Sequence, residues 1–385
     1  MTLWELVRYF LYLGTFGFGG PVALAGFMHR DLVEKRKSIS EEEYSLSLAL
    51  AQIMPGPLAA QLAIAIGYFQ HGVLGATLVG LAFILPSFLM VVAISLAYLA
   101  YGGLWWMQAL FYGIGAAVIG VIAIAAYKLA RSTNKHDPLL WGIFIVLVVV
   151  TVWAEAELAE FFILAGLLVL FVRAWSGWQR ALASGLAGGL AGVLIWLIEN
   201  WFIHIEAGDA DVLLQILLFF TKAGAFVFGS GLAIVPFLHQ GVVQQFAWLN
   251  EQQFLDAVAV AMITPGPVVI TVAFIGYLVA SLAGATAAAI GIFMPVYLLT
   301  IIPAPWFRRN RDNPQLKAFV QGATASATGA ITGAVIVLGQ RAIYDLPTAL
   351  IAFMTLIVLV RFKIPEPILI ILAGVVGLLV FLGVK

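Results

Sequence analysis

The sequence contains no cysteine, which excludes disulfides, thiolate metal sites and thiol catalysis. Charge is almost as scarce. Only 10% of the 385 residues are charged, against 63% apolar, and mean hydropathy is +1.07. A water-soluble chain of this length needs far more charge to solvate its surface. The few charges balance at 19 basic and 19 acidic, so there is no basic field to draw nucleic acid. Long polar stretches are missing too. The longest, His29 to Glu43, is too short for a soluble domain. A cleavable leader is not expected, because Glu5 and Arg8 interrupt the first apolar stretch and no small-residue cleavage site follows.

Apolar runs fill the chain instead. His71 to Tyr101 and Leu104 to Tyr127 carry no Asp, Glu, Lys or Arg, and each exceeds the ~20 residues that cross a bilayer as a helix. Charged or turn-forming breaks divide the sequence into thirteen such segments. They lie near 3–27, 44–69, 72–100, 104–130, 138–153, 158–174, 180–202, 212–238, 254–280, 281–302, 316–340, 346–361 and 366–384. Most of the eleven tryptophans, Trp4, Trp105, Trp153 and Trp306 among them, fall near segment ends, as interfacial belts do. The fold class expected is an all-α polytopic membrane protein whose constant partner is the lipid bilayer.

The sequence repeats itself. At an offset of 210, Gly14, Phe16, Phe18 and Gly19 meet Gly224, Phe226, Phe228 and Gly229. Pro55-Gly56-Pro57 meets Pro265-Gly266-Pro267, and His29 meets His239. Matches of alanine or isoleucine are cheap in so apolar a chain, but paired proline–glycine–proline triplets are not. Two homologous halves are expected, 1–175 and 211–385, joined by a membrane segment within 176–210. One intervening crossing inverts the second half, as in secondary transporters whose site lies between inverted repeats. Small-residue GxxxG spacing recurs from Gly185 to Gly192. It permits close helix approach within the chain or in a homodimer.

Charge distribution weighs two topologies. If all thirteen segments cross, the basic loop of Arg30, Lys35, Arg36 and Lys37 falls outside, against the positive-inside tendency. If segments one and two are hairpins that enter and leave on one face, with eight and nine their inverted copies, that loop returns inside. Only Arg341 and Lys385 then lie outside, with Lys222 inside the membrane. The N-terminus is cytoplasmic and the C-terminus outside. Gly17 to Pro21 and Pro55 to Pro57 sit where such hairpins would turn, although full helices kinked at these residues are equally permitted by proline and glycine.

These breaks also carry the chemistry. Proline has no amide proton and blocks helical bonding behind it, so Pro-Gly-Pro at mid-membrane breaks a helix. The break exposes N–H groups and a positive dipole end at the start of the next half-helix. Such ends bind tetrahedral oxyanions, and glycine lets the ligand approach the backbone. The expected substrate-binding residues are Gly19, Gly20, Gln52, Pro55, Gly56 and Pro57 in the first half. In the second they are Lys222, Gly229, Ser230, Gly231, Thr264, Pro265, Gly266 and Pro267. Gln52, Gln61, Thr264 and Thr271 can add hydrogen bonds or satisfy neighbouring helices. Lys222 is the sharpest single residue, a lone cation in an apolar segment with no acid within a helical turn. Such a charge costs several kcal/mol unless paired, hydrated or snorkelling. His29 and His239 read as interfacial anchors. No enzyme chemistry, cofactor or metal site is expected.

Phe16-Gly17-Phe18-Gly19-Gly20-Pro21 with Met54-Pro55-Gly56-Pro57, and their counterparts Phe226 to Gly231 and Thr264 to Pro267, resemble the chromate transporter family. The likeness covers the whole chain, although Ser230-Gly231 stands where the first half has Gly20-Pro21. It implies a bacterial inner-membrane exporter of chromate, with sulfate as the look-alike dianion. A dianion leaving a cell at an inside-negative potential gains about 4.6 kcal/mol per 100 mV, twice the value for a unit charge. Buried carboxylates for a coupling cation are few, with Glu199 and Asp256 near segment ends. Export driven by potential is the expectation; the alternatives are a sulfate or other oxyanion transporter of the same build, or an anion channel or non-transporting membrane scaffold.

Overall fold

A computed structural model describes residues 1–18, 20–101, 104–154, 160–174, 211–226, 234–310, 313–362, 364 and 366–383. The expected linking segment at 176–210 lies outside them. Among the described residues every regular element is a helix. The first half holds α1 (Leu3–Phe16), α2 (Gly20–Met28), α3 (Glu41–Ile53), α4 (Leu58–Tyr101), α5 (Trp105–Asn134), α6 (Pro138–Ala154) and α7 (Glu160–Ala174). The second holds α8 (Val212–Phe226), α9 (Val235–His239), α10 (Glu251–Ile263), α11 (Thr271–Ile301), α12 (Ala304–Asn310), α13 (Pro314–Ala342), α14 (Leu346–Arg361) and α15 (Glu366–Gly383). Four stretches are long and apolar enough to cross a membrane by themselves: Leu58–Tyr101, Trp105–Asn134, Val268–Arg309 and Lys317–Ala342. Large apolar side chains such as Val149, Leu350 and Leu372 are exposed on the outside, a surface suited to lipid.

Local signals recur with the sequence offset. Ser40 caps α3 by accepting the Glu43 amide at 3.2 Å, and Asn250 caps α10 by accepting the Gln253 amide at 2.9 Å. Each supplies an acceptor that the helix start otherwise lacks. Positive φ angles fall at Lys37 and Ala247, Gly56 and Gly266, and Gly72 and Ser281. At Gly72 α4 reverses direction, with non-helical angles at His71 and Gly72. The two legs touch where the backbones of Gly67 and Gly75 leave no room for a Cβ. Ala280 and Ser281 make the same reversal in α11, with Gly276 against Gly284.

The chain doubles back on itself between α1 and α2, α3 and α4, α8 and α9, and α10 and α11, whose members touch. α1 has 14 residues, or roughly 21 Å at ~1.5 Å per residue, short of a ~30 Å core. Ring contacts and hydrogen bonds gather the hairpin ends on one face. His71 Nε2 lies 3.2 Å from Met1 O, Gln70 donates to Glu43 at 3.1 Å, and His29 meets Glu41 at 2.9 Å. In the second half Phe219 of α8 stacks on Phe237 of α9, and His239 meets Glu251 at 2.7 Å.

The two sets of hairpins enter from opposite ends. Tyr98, at the end of α4, donates to Asp256 near the start of α10 at 2.7 Å. Thr77, just past the α4 reversal, pairs with Tyr297 near the end of α11 at 2.6 Å. Between those ends the tips touch: the Gly266 amide donates to Gly17 O at 3.0 Å.

The remaining helices are exchanged between halves. α5 packs against α14 and α15, while α13 packs against α6 and α7. Small residues make this possible. Gly113 lies on Ala373 and Gly377, Gly322 on Ala165 and Gly166, and Gly329 on Phe144, so close packing replaces the hydrophobic drive that lipid removes.

The cysteine-free chain makes the hairpins testable. A single Lys35→Cys should react with an impermeant maleimide only after cells are opened, and Gln245→Cys should react in intact cells. Labelling of Lys35→Cys from outside would refute this path.

Candidate functional site

Side chains hold the two proline–glycine–proline breaks, Gln61 the first and Ser87 of α4 the second. At the first Pro-Gly-Pro the Gln61 amide closes the new helix onto Pro57 O at 3.0 Å, so the amides of Leu58, Ala59 and Ala60 precede the first intrahelical bond. Gln61 is fully buried and donates Nε2 to Pro55 O at 2.6 Å and Met54 O at 3.1 Å. Gly56 sits above it at φ 141°, where a Cβ would strike the Gln61 carboxamide. In the second half Ser87 Oγ donates to Pro265 O at 2.7 Å. Thr264 Oγ1 turns back to Val260 O at 3.0 Å, and Thr271 Oγ1 to Val268 O at 2.9 Å. Both threonine hydroxyls thus satisfy their own helices.

A cavity of about 960 Å³ ends at these breaks. Its inner wall combines Gly17, Phe18 and Pro21 of the first hairpin, Gln52 and Leu58 of the second, and Thr264, Gly266 and Val268 of the fourth. The structure thus brings Gln52, Thr264 and Gly266 together. Gly20, Pro55, Gly56, Pro57, Pro265 and Pro267 lie in or beside the same breaks but are not part of the wall. Gly19, Gly229, Ser230 and Gly231 lie outside the described residues. Lys222 is half-buried in the last turns of α8 and does not line the cavity.

The cavity wall continues to the ends of α5, α7, α13 and α15, where sequence reasoning had named nothing. Lys128 and Asn134 come from α5, Arg173 from α7, Gln321 and Thr324 from α13, and Glu366 from α15. Arg173 donates to Asp137 and to Gln321. Lys128 lies near enough to Glu366 for their charges to interact. Asn134 is fully buried, and neither Nδ2 nor Oδ1 has a partner. A signal for Lys128 and Arg173 was present: both are cations inside segments read as apolar, as Lys222 is. Among the described residues no group of three or more His, Asp or Glu could hold a metal ion.

His29 and His239 stand apart from the cavity as clasps between neighbouring hairpins. His239 is buried, bonded to Glu251, and joined by Arg341 of α13.

Broken helices meeting from two ends of the molecule around a partly cationic cavity define a polytopic membrane protein of the transporter type. The chain belongs to the chromate transporter family, whose sequence pattern matches two stretches, residues 4–192 and 214–378. It is 57% identical over 381 residues to the chromate transport protein of Cupriavidus metallidurans, covering 99% of this chain and 94% of that one. It is 55% identical to a probable chromate transport protein of Synechococcus elongatus, over 98% of this chain and 95% of that one. A chromate transport protein of Pseudomonas aeruginosa is 31% identical over 99% of this chain and 93% of its own length. No solved structure matches.

Gly266 offers a direct test of the tip geometry. At φ 95° an alanine is strained, and its Cβ would collide with Ser87 Oγ. Gly266→Ala should destabilise the purified protein by roughly 1–3 kcal/mol, read as a lower unfolding midpoint in detergent. Adding Ser87→Ala should recover part of that loss, because it removes the collision and leaves only the backbone strain. A double variant no better than the sum of the single losses would mean that the contact is not made.

Proposed function

We propose that this protein exports chromate across the bacterial inner membrane, as two inverted repeats, 1–175 and 211–385, joined by a crossing within 176–210. The N-terminus is cytoplasmic and the C-terminus outside. The observation that carries this reading is the meeting of opposed hairpin breaks, Gly17 against Gly266, at the inner end of a single cavity. Inverted repeats that place broken helices around a central site are the build of secondary transporters.

The chemistry of the inner wall suits a tetrahedral dianion. The amides at the start of α4 offer donors and a positive dipole end without a mobile counter-charge. Glycine at 17 and 266 lets an oxyanion approach the backbone. Gln52 can donate a side-chain amide. Thr264 must rotate its hydroxyl away from Val260 O to do the same. Lys222 adds positive charge to the field that the anion meets, and Gly19, Gly20, Gly229, Ser230 and Gly231 are the binding residues of the other two motifs. Pro55, Gly56, Pro57, Pro265 and Pro267 hold the breaks open.

The wall beyond the breaks reaches the α5–α6 turn. That turn lies at the molecular end opposite Tyr101, the end that carries Arg30, Lys35 and Arg36. The positive-inside tendency makes it the cytoplasmic end. A cavity with that access loads from the cytoplasm. Outward movement of the bound dianion is then favoured by about 4.6 kcal/mol per 100 mV, so the membrane potential drives export. Sulfate shares chromate's charge and shape, and a sulfate or other oxyanion transporter of the same build is the second reading.

Everted vesicles should accumulate radiolabelled chromate in a protein-dependent way, and sulfate should compete. Lys222→Ala and Thr264→Val should each slow uptake while the protein still reaches the membrane. In proteoliposomes clamped with potassium and valinomycin at equal pH, flux should follow the imposed voltage. Flux that ignores voltage and follows a pH gradient would overturn the driving force proposed here.

A further inference from the structure

The breaks account for one end of the cavity; the other end holds the fully buried Asn134, whose two carboxamide atoms lack partners. A buried amide without partners is costly, and such groups in native folds call for a reason. Asn134 ends α5 and lines the cavity with Lys128, Ser132 and Thr133 from the same helix end and with Arg173 from α7. Lys128 is exposed and two turns before Asn134. Among the described residues the acids that share this wall are Asp137 and Glu366. Asp137 is already paired with Arg173, which leaves Lys128 opposed by Glu366.

We propose that this end of the cavity is a second oxyanion subsite, separate from the hairpin breaks, in which the Asn134 Nδ2 group donates to the anion and Lys128 supplies its charge. Ser132 and Thr133 provide hydroxyl donors at its edge, and Arg173 is held behind it by Asp137 and Gln321. Once the Asn134 carboxamide turns from the wall into the cavity, an anion there satisfies its donor and lies on the path from the cytoplasmic end to the breaks. Two positions along one path suit a carrier that must take up its substrate from dilute solution and hand it inward. The proposal rests on the transport reading for the identity of the anion, and the test separates the two.

The experiment measures equilibrium binding of radiolabelled chromate to the purified full chain in detergent, and the KM of uptake into everted vesicles. The unmodified protein should bind chromate in two components. Lys128→Gln and Asn134→Leu should each remove the weaker component and raise KM about tenfold, as loss of one charge-assisted contact does. The maximal rate and the tighter component should stay near their original values. Asn134→Asp keeps the shape and should repel the anion, so it serves if the leucine variant does not fold. Arg131→Gln, on the same helix end but outside the cavity wall, should change neither quantity. An unchanged KM and binding curve in Lys128→Gln and both Asn134 variants overturns the subsite while transport stands. So does an equal effect of Arg131→Gln, which would reflect surface charge alone. No chromate binding by the unmodified protein removes the transport reading and the subsite with it.

Discussion

One backbone hydrogen bond sets the geometry of the rest: the Gly266 amide reaching Gly17 O across the centre of the protein. Half-helices that stop inside a bilayer leave N–H and C=O groups without partners, and lipid offers none. The breaks can exist only where protein or water satisfies them. Here the tip of one hairpin caps another that enters from the opposite end, and Ser87 and Gln61 take up the neighbouring carbonyls. Gly17, Leu58 and Gly266 of these breaks also line the cavity, so a substitution at the tips alters both the packing there and the cavity wall.

Much of this was legible in sequence. The helical segments and the breaks at Pro55–Pro57 and Pro265–Pro267 follow from apolar runs and from proline–glycine–proline triplets whose physics is local. The reversals at Gly72 and Ser281 fell on segment boundaries for the same reason. What sequence could not supply was the exchange of helices between halves. Gly113 and Ala373 meet because of how the halves interlock, and no periodicity within either helix encodes that. The contribution of Lys128, Asn134 and Arg173 to the cavity depends on the same exchange. A cation near the end of an apolar run reads as an interfacial anchor until the neighbouring helices are known. Lys222 was conspicuous because its segment is otherwise free of charge, yet it does not line the cavity.

The pseudo-symmetry is imperfect in a way that separates the two ends. At one end Tyr98 hydrogen-bonds to Asp256 between halves. The residues at the matching offsets, Leu46 and Phe307, share an apolar cluster at the other end. A polar contact is directional and breaks at a defined geometry, whereas an apolar one can slide. The end carrying Tyr98 and Asp256 is held by the more specific contact, and the cavity wall extends toward the other.

The exchange of α5 and α13 between halves also bears on how the chain is made. α5 leaves the ribosome long before α14 and α15, the helices that cover Gly113 and Gly120. At ~5–20 residues per second, its small-residue face waits tens of seconds in the bilayer with lipid as its only neighbour. α6 and α7 wait likewise for α13. Neither half can reach its final packing alone, and a chain truncated before α14 would leave Gly113 and Gly120 of α5 uncovered even though α13 already lies on α6 and α7.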